Sequence, residues 1–263
     1  MSFGSDDRGA PSSLRGWLSD VFFPAILAGE LDPLLLRLGQ RATLDEPMFG
    51  KNTGLADLAV HLKQIGKRLE ETHATYERYA FVTGIDRDMT EGTLSFDREE
   101  LRLALPIAVV AERRKSREVE LRVYCRAREL PRVAPRNPPL LPPLPAVLPD
   151  NVRALLDAFG AGNAEAAAAL FDIESFTREP TARQREGRAA IEAGFRSLLG
   201  PAGVTFFPTG TGDDGRHCLV EGALLQIHGA EVRPTPSLFV LERSEQGLFR
   251  SLRIYDDALA SLE

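Results

Sequence analysis

The sequence predicts an α+β chain made of two tandem copies of one domain, each with helices packed on one face of a curved antiparallel sheet. Three observations predict it: an internal repeat held in one register, helical periodicity followed by strand-like runs in each copy, and a proline-rich segment between the copies.

Residues 90–113, "TEGTLSFDREELRLALPIAVVAER", lie without a gap on residues 220–243, "VEGALLQIHGAEVRPTPSLFVLER". Seven of these 24 positions are identical, where average composition gives about one or two. Upstream, "EPMFGKNTG" from Glu46 matches "EPTARQREG" from Glu179, and "AGELD" from Ala28 matches "AGNAE" from Ala161. Downstream, "LRVYCRA" from Leu121 matches "LRIYDDA" from Leu252. Offsets of 130 to 133 residues keep one register, with small slips in loops. Between the copies, "PRVAPRNPPLLPPLPAVLP" at 131–149 holds eight prolines in nineteen positions. As polyproline II this linker reaches about 59 Å at roughly 3.1 Å per residue, enough to cross a small domain. A rival role is that of a ligand for an aromatic groove. The predicted division is a disordered lead-in over 1–13, a first domain over 14–130, the linker over 131–149 and a second domain over 150–263.

Each copy presents the same elements. In copy two, Val152, Leu155, Leu156 and Phe159 predict an amphipathic helix closed by Gly160 or Gly162. Its counterpart runs from about Leu14 to Leu27, with Pro24 predicted to kink or restart it. A short second helix has Asp32 as N-cap and Pro33 in its first position in copy one, and Asn163 as its cap in copy two. A strand then ends at each Glu-Pro pair, because the residue before proline is driven extended. The third helix carries Leu55, Leu58, Leu62, Ile65 and Leu69, or Ala190, Ile191, Phe195 and Leu198. Runs such as "YAFVTG", "LRLALPIAVVAE" and "VELRVYCR" follow as antiparallel strands.

With 43% hydrophobic and 27% charged residues, the chain reads as globular. A net charge of -6 argues against nucleic acid or anionic lipid as a partner, and no apolar stretch is long enough to span a bilayer. "MSFGSDDRGAPSS" lacks the pattern of a signal peptide. Cys125 and Cys218 have no metal or redox spacing. A cytoplasmic protein with no cofactor and no metal is expected.

The motif order resembles the nuclear transport factor 2-like superfamily, above all its SnoaL-like and ketosteroid-isomerase-like branches. It consists of "AGELD" or "AGNAE" after helix one, Glu-Pro after the first strand, Gly before helix three and "LRVY" or "LRIY" in the last strand. The resemblance covers roughly residues 14–130 and 150–260. It implies two cone-shaped domains, in each of which a bent sheet wraps the long helix around an apolar cavity. Members often pair through their sheets, which implies an intramolecular pseudo-dimer in a monomeric chain. Isomerases, cyclases, dehydratases, epoxide hydrolases and non-catalytic binding domains share this fold, so it leaves function open.

By the same resemblance, the general-base position of the ketosteroid isomerases falls on Glu46 in "LDEP" and Glu179 in "TREP". A carboxylate desolvated at a cavity wall gains the basicity that proton abstraction beside a carbonyl needs. Alternation places Leu44 on the side of Glu46 but only Thr177 on that of Glu179, which favours Glu46. Against a catalytic role stands pairing with an arginine or capping of helix three. The family's oxyanion donors fall on Phe22 and Leu155, and on Val109 and Phe239, none of which can donate. Losing one such donor costs about two to three orders of magnitude, so ordinary ketosteroid isomerase activity is not expected. Phe22, Leu155 and Phe239 are expected to line the cups together with Tyr124 and Tyr255, although the tyrosines fit sheet packing equally well.

His61, His73, His217 and His228 form no repeated pair and read as surface or wall residues, with an acid–base role open for one of them. Asp256 and Asp257 fall near a strand end where a cavity mouth would lie, and "ERRKSRE" at 112–118 reads as an exposed turn. Nucleophile elbows, phosphate loops and dinucleotide fingerprints are missing. Three functions remain: binding of a small hydrophobic ligand in one or both cups; a cofactor-independent isomerase, cyclase or hydrolase using Glu46 or Glu179; and a structural or assembly module with filled cups.

Overall fold

The computed structural model describes residues 17–47, 50–113, 118–125, 146–179, 183–200, 204–228 and 231–256. The lead-in, most of the proline-rich segment, residues 114–117 of the charged run and Asp257 lie outside them. In the first half, α1 (Leu18–Ala28), α2 (Leu31–Leu38), β1 (Thr43–Glu46), β2 (Gly50–Thr53) and α3 (Leu55–Glu71) come first. They are followed by β3 (Thr75–Thr83), β4 (Arg87–Arg98), β5 (Leu101–Arg113) and β6 (Val119–Cys125). The second half repeats the order: α4 (Asp150–Gly160), α5 (Ala164–Ala169), β7 (Phe171–Arg178), β8 (Gln184–Glu186) and α6 (Arg188–Leu199), then β9 (Thr205–Asp213), β10 (His217–His228), β11 (Glu231–Arg243) and β12 (Phe249–Asp256). The strand orders, β2-β1-β6-β5-β4-β3 and β8-β7-β12-β11-β10-β9, are equivalent, so the sequence repeat is a repeat of two whole α+β domains. Both sheets are mixed rather than purely antiparallel, because β1 runs parallel to β6 and β7 to β12.

Local chemistry sets the boundaries. Gly54 and Gly187 precede α3 and α6 at φ 94° and 82°, a region that a Cβ disfavours. Their N–H groups bond the equivalent carbonyls of Ala42 and Ser175, at 2.9 and 2.7 Å. Asn163 caps α5 as expected, accepting from the Ala166 N–H at 2.9 Å. In contrast, α2 starts at Leu31 behind Glu30, not at an Asp32 cap. Burial of Leu31 draws it into the helix, and Asp32 sits in the first turn where a negative charge suits the helix dipole. Helix α1 passes through Pro24 unbroken; the buried Phe22, Phe23, Ala25 and Ile26 around it offset the lost hydrogen bond. Helix α4 ends at Gly160 with Ala161 as its C-cap, and Gly162 closes it in the left-handed region at φ 65°. In α6, Ile191 and Phe195 are buried but Ala190 and Leu198 are exposed, because the buried stripe runs through Gly194. Trp17 offers no side-chain cap to α1; instead the fully buried Asp88 of β4 accepts from the Ser19 N–H at 2.7 Å and pairs with Arg113.

Strand alternation divides the side chains between two layers. Leu94, Leu105, Ile107, Val109, Ala111, Leu121 and Val123 face the helices and form the first core, as Val220, Leu224, Phe239, Leu241, Leu252 and Ile254 do in the second. The alternate residues Met89, Ala108, Val110 and Tyr124 meet Leu219, Leu238, Val240 and Tyr255 in a third cluster, between the sheets. Each sheet is thus buried on both faces, which is why "IAVVA" in β5 is apolar without alternation.

Two glutamates lie in this layer, Glu91 fully buried and Glu221 only 2% exposed. Glu221 accepts from Arg122 Nε and Nη2 at 2.6 and 2.7 Å, from Tyr124 Oη at 2.9 Å and from Arg87 Nη1 at 2.8 Å, all in the first domain. Glu91 accepts reciprocally from the second domain: from Arg253 Nε at 2.6 and 2.8 Å, from Arg178 at 3.2 Å and from the Tyr255 hydroxyl. Behind each glutamate stands a glycine. A Cβ at Gly92 would collide with the Glu77 carbonyl and the Tyr76 ring, and one at Gly222 with the Phe207 carbonyl and the Phe206 ring. The repeated Glu-Gly pair therefore sends a charge out of one face of the sheet and admits an aromatic ring on the other. Among the described residues, no helix is long and apolar enough to cross a membrane.

Two predictions follow from this layer. Burial alone would raise the Glu221 carboxyl, but the charges and hydrogen bonds of Arg122, with Arg87 and Tyr124, hold it at about 2 against an ordinary 4.5. Its contribution is therefore complete above about pH 4.5 and is lost as pH falls towards 2. Glu221→Gln is expected to cost about 3–5 kcal/mol at neutral pH in denaturant unfolding and to flatten the acid limb of the melting temperature. Gly92→Ala is expected to lose about 1–3 kcal/mol in the same assay, whereas a simple glycine-to-alanine change in an open site would not.

Candidate functional site

Strand β1 ends at Glu46, whose side chain follows Leu44 onto the inner face of the first sheet and is 6% exposed. Helix α3 carries Leu58, His61 and Leu62 on its buried stripe. His61 Nε2 lies 3.2 Å from Glu46 Oε1, and both side chains are almost completely removed from solvent. Sequence spacing could not reveal this pair, because it joins a strand end to the second turn of a helix fifteen positions later.

The second domain handles the equivalent carboxylate differently. Glu179 accepts from Arg185 Nε at 2.8 Å and remains about a quarter exposed. The register position of His61 is held by Gly194, and a Cβ there would collide with the Arg185 side chain. Loss of the imidazole therefore makes room for a guanidinium that enters from β8. The arginine-pairing alternative raised for these glutamates describes Glu179, whereas Glu46 faces the imidazole of His61.

The interiors differ too. Phe206 stacks on Phe239 at 4.4 Å, and Phe239 meets Phe159 at 6.3 Å. Contacts of 5.0, 5.6 and 5.4 Å then carry the run through Phe195 and Phe171 to Phe249. Leu155 packs in the same core. At the register positions of Phe159, Phe171, Phe195, Phe206 and Phe239, the first domain has Ile26, Leu38, Leu62, Tyr76 and Val109. Its own aromatics include Phe22, edge-on to Phe23 at 5.2 Å, Phe23 stacked on Tyr76 at 5.3 Å, and the partly buried Phe96. The Tyr76 hydroxyl is buried without a hydrogen-bond partner among the described residues. Burial, with the charges of Asp20 and Glu91, pushes this phenol above its usual range, so it stays a donor.

The remaining sequence-selected residues lie elsewhere. Tyr124 and Tyr255 stand on the opposite faces of their strands from the two cores, with their hydroxyls on Glu221 and Glu91. Their repeated position marks the layer between the domains. His73 pairs with Asp97 in an exposed cluster, and His217 lies 3.5 Å from Asp214 at the start of β10; the His228 side chain is outside the described set. Asp256 is buried at the end of β12. Glu112, read as part of an exposed turn, is instead in β5 and accepts from Arg122 at 2.8 Å, because β5 extends to Arg113. Burial pushes the Cys218 thiol up to about 12, consistent with an inert core residue. Among the described residues, no three metal-ligating side chains gather.

No protein-family model and no curated protein matches this sequence. Solved structures similar to it include a polyketide cyclase-type protein from Sinorhizobium meliloti, at 19% identity over 41% of this chain and 94% of that one, TM-score 0.35. A protein of ketosteroid isomerase-like fold from Catenulispora acidiphila, solved in complex with trimethylamine, shares 19% identity over 43% and 88% of the two chains, TM-score 0.39. An epoxide hydrolase from M. tuberculosis shares 20% over 41% and 80%, TM-score 0.37. Each match covers 41–43% of this chain, a length close to one of its two halves.

The swap of His61 for Arg185 over Gly194 yields a thermodynamic test. In a helix interior, glycine to alanine ordinarily gains about 0.5–1 kcal/mol. Gly194→Ala is expected to show no such gain in the wild-type background, because it displaces Arg185, and to recover it in an Arg185→Ala background; a double-mutant cycle in urea measures the difference.

Proposed function

We propose that the first domain is the working cup, which takes a small, predominantly apolar molecule, and that the second domain is its structural half in an intramolecular pseudo-dimer. The carrying observation is the contrast between Glu46, buried against His61, and Glu179, tied to Arg185. A guanidinium keeps its charge and fixes its carboxylate as an ion pair. A buried carboxylate–imidazole couple can instead accept and return a proton. On this reading Glu46, with His61 beside it, removes a proton next to a carbonyl or activates water in a cofactor-independent isomerase, cyclase or hydrolase reaction, and Phe22 lines the cup. The smaller side chains at Ile26, Leu38, Leu62 and Val109 support a guest in this domain. Leu155 and Phe239 serve packing, because the phenylalanine run fills the second interior; that half fits the structural reading.

Native mass spectrometry of the purified chain, followed by denaturing analysis of what is released, tests the reading. A monomer carrying a small apolar molecule is expected. Leu62→Phe, which installs the second domain's residue, is expected to remove that molecule while leaving the melting temperature within a few degrees. Phe195→Leu is expected to leave the molecule bound. Loss of several kcal/mol in Leu62→Phe, the sign of an already filled interior, would reject the cup, and an obligate dimer of chains would reject the intramolecular pairing.

A further inference from the structure

We infer that the pairing of the two domains is one-way. The outer face of the second domain, the one turned to the first, also fits a second copy of itself, whereas the first domain is barred from self-pairing by its own Arg87. Once released, the second domain's face therefore takes a second copy of this chain. This rests on the reading of the chain as an intramolecular pseudo-dimer.

The bar lies on the edge strands. Arg87, at the start of β4, passes Gly212 and Gly210 of β9 on its way to Glu221, which it meets at 2.8 Å. A Cβ at Gly210 would collide with the guanidinium, and one at Gly212 would touch the Arg87 Cγ at 3.6 Å. Gly210 lies opposite Glu221 and Gly212 opposite Leu219; the same places in the first domain, opposite Glu91 and Met89, hold Ala80 and Val82. Two first domains set face to face would drive each Arg87 into a methyl and an isopropyl group. A buried arginine pushed off its carboxylate is an uncompensated charge, so this pairing is rejected.

The second domain carries no such bar. The shorter His217 takes the register position of Arg87, and both glycines are its own. In a pair of second domains each Glu221 would stand where Glu91 stands now. It would meet Arg253, Arg178 and the Tyr255 hydroxyl, the donors that already satisfy Glu91. The apolar layer keeps its volume: Val82, Met89, Ala108 and Val110 give way to Gly212, Leu219, Leu238 and Val240, and what is lost at Gly212 is regained at Leu238. At the turn, Asp214 in place of Gly84 brings a Cβ to 3.2 Å from the Gly212 Cα, a contact that a shift of a few tenths of an ångström relieves.

Sedimentation of full-length variants over a wide range of concentration tests this. Wild type is expected to be a monomer of 28.9 kDa. Glu91→Arg sets a third guanidinium beside Arg253 and Arg178, which breaks the pairing within the chain and leaves the second domain untouched. A dimer of twice the wild-type mass is expected, and adding Glu221→Arg should return it to a monomer. Arg122→Glu releases the second domain by a different route and should dimerise in the same way. Glu221→Arg alone, which spares only the first domain's face, should stay monomeric. Failure of both Glu91→Arg and Arg122→Glu to dimerise, or a dimer that survives the added Glu221→Arg, would overturn self-pairing of the second domain. A dimer of Glu221→Arg alone would overturn the bar. Gly210→Ala checks the obstacle itself: it should lower the melting temperature by several degrees in wild type and leave it unchanged in an Arg87→His background. Equal losses in the two backgrounds would show that Arg87 is not the obstacle. A wild-type dimer would reject the intramolecular pairing and this assignment with it.

Discussion

Two carboxylates taken out of water between the sheets set the terms for the rest of this molecule. An ionised group in that position costs several kcal/mol unless it is met by opposite charge and hydrogen bonds. Glu91 and Glu221 therefore dictate what the facing domain must carry: an arginine with its forked donors, a tyrosine hydroxyl and a second arginine. Around them, Met89, Ala108 and Val110 against Leu219, Leu238 and Val240 exclude the solvent that would weaken the pairing. Neither domain satisfies its own glutamate. A chain in which each half lacks what the other supplies has a physical reason to keep both halves.

The same constraint explains which parts of the fold were legible in the sequence. The motifs that exposed the repeat were "TEG" with "VEG" and "LRVY" with "LRIY"; their polar members are Glu91, Glu221, Arg122, Arg253, Tyr124 and Tyr255, the residues of the two networks. They match because each is half of a contact whose other half sits in the other copy. What no spacing could give was the direction of the contacts, which join residues 87 to 164 positions apart. The sheet faces were readable only in part, since a β5 that is apolar on both sides gives no alternation from which to choose an inner face. The site was less legible still. His61 looks like one of four unrelated histidines because its counterpart is Gly194, and no motif or spacing singles out Tyr76, whose counterpart is Phe206. In both cases the signal is a difference between copies, visible only once the register is trusted.

Sharing one interface has left the two inner faces free to diverge. The outer-face residues must answer one another, but a substitution on an inner face is felt mainly within its own domain. The second interior has accordingly closed into a continuous phenylalanine run, with its wall carboxylate fixed by Arg185. The first keeps smaller side chains and three polar groups, Glu46, His61 and Tyr76, inside an otherwise apolar core. Buried polar groups that packing does not require are costly, and such costs collect where function is carried.

The networks also specify which domain pairs with which. Each has one repeated arginine, Arg122 or Arg253, and one that is not repeated. Arg178, which helps neutralise Glu91, stands beside Arg253 across β7 and β12; its register equivalent in the first domain is Asp45, beside Arg122 across β1 and β6. Arg87 reaches Glu221 past Gly210, where a Cβ would collide with its guanidinium, and the register equivalent of Gly210 is Ala80, so two first domains facing each other would set a methyl group against Arg87. Two second domains would have His217 at the register position of Arg87, with Arg253 and Arg178 still facing each glutamate. The mixed pair alone sets Arg87 against a glycine. A clash with the wrong partner confers specificity that attraction by itself does not. It makes the tandem arrangement more than a way of raising local concentration: the linker joins a first domain that is a poor partner for itself to a second domain that leaves room for Arg87.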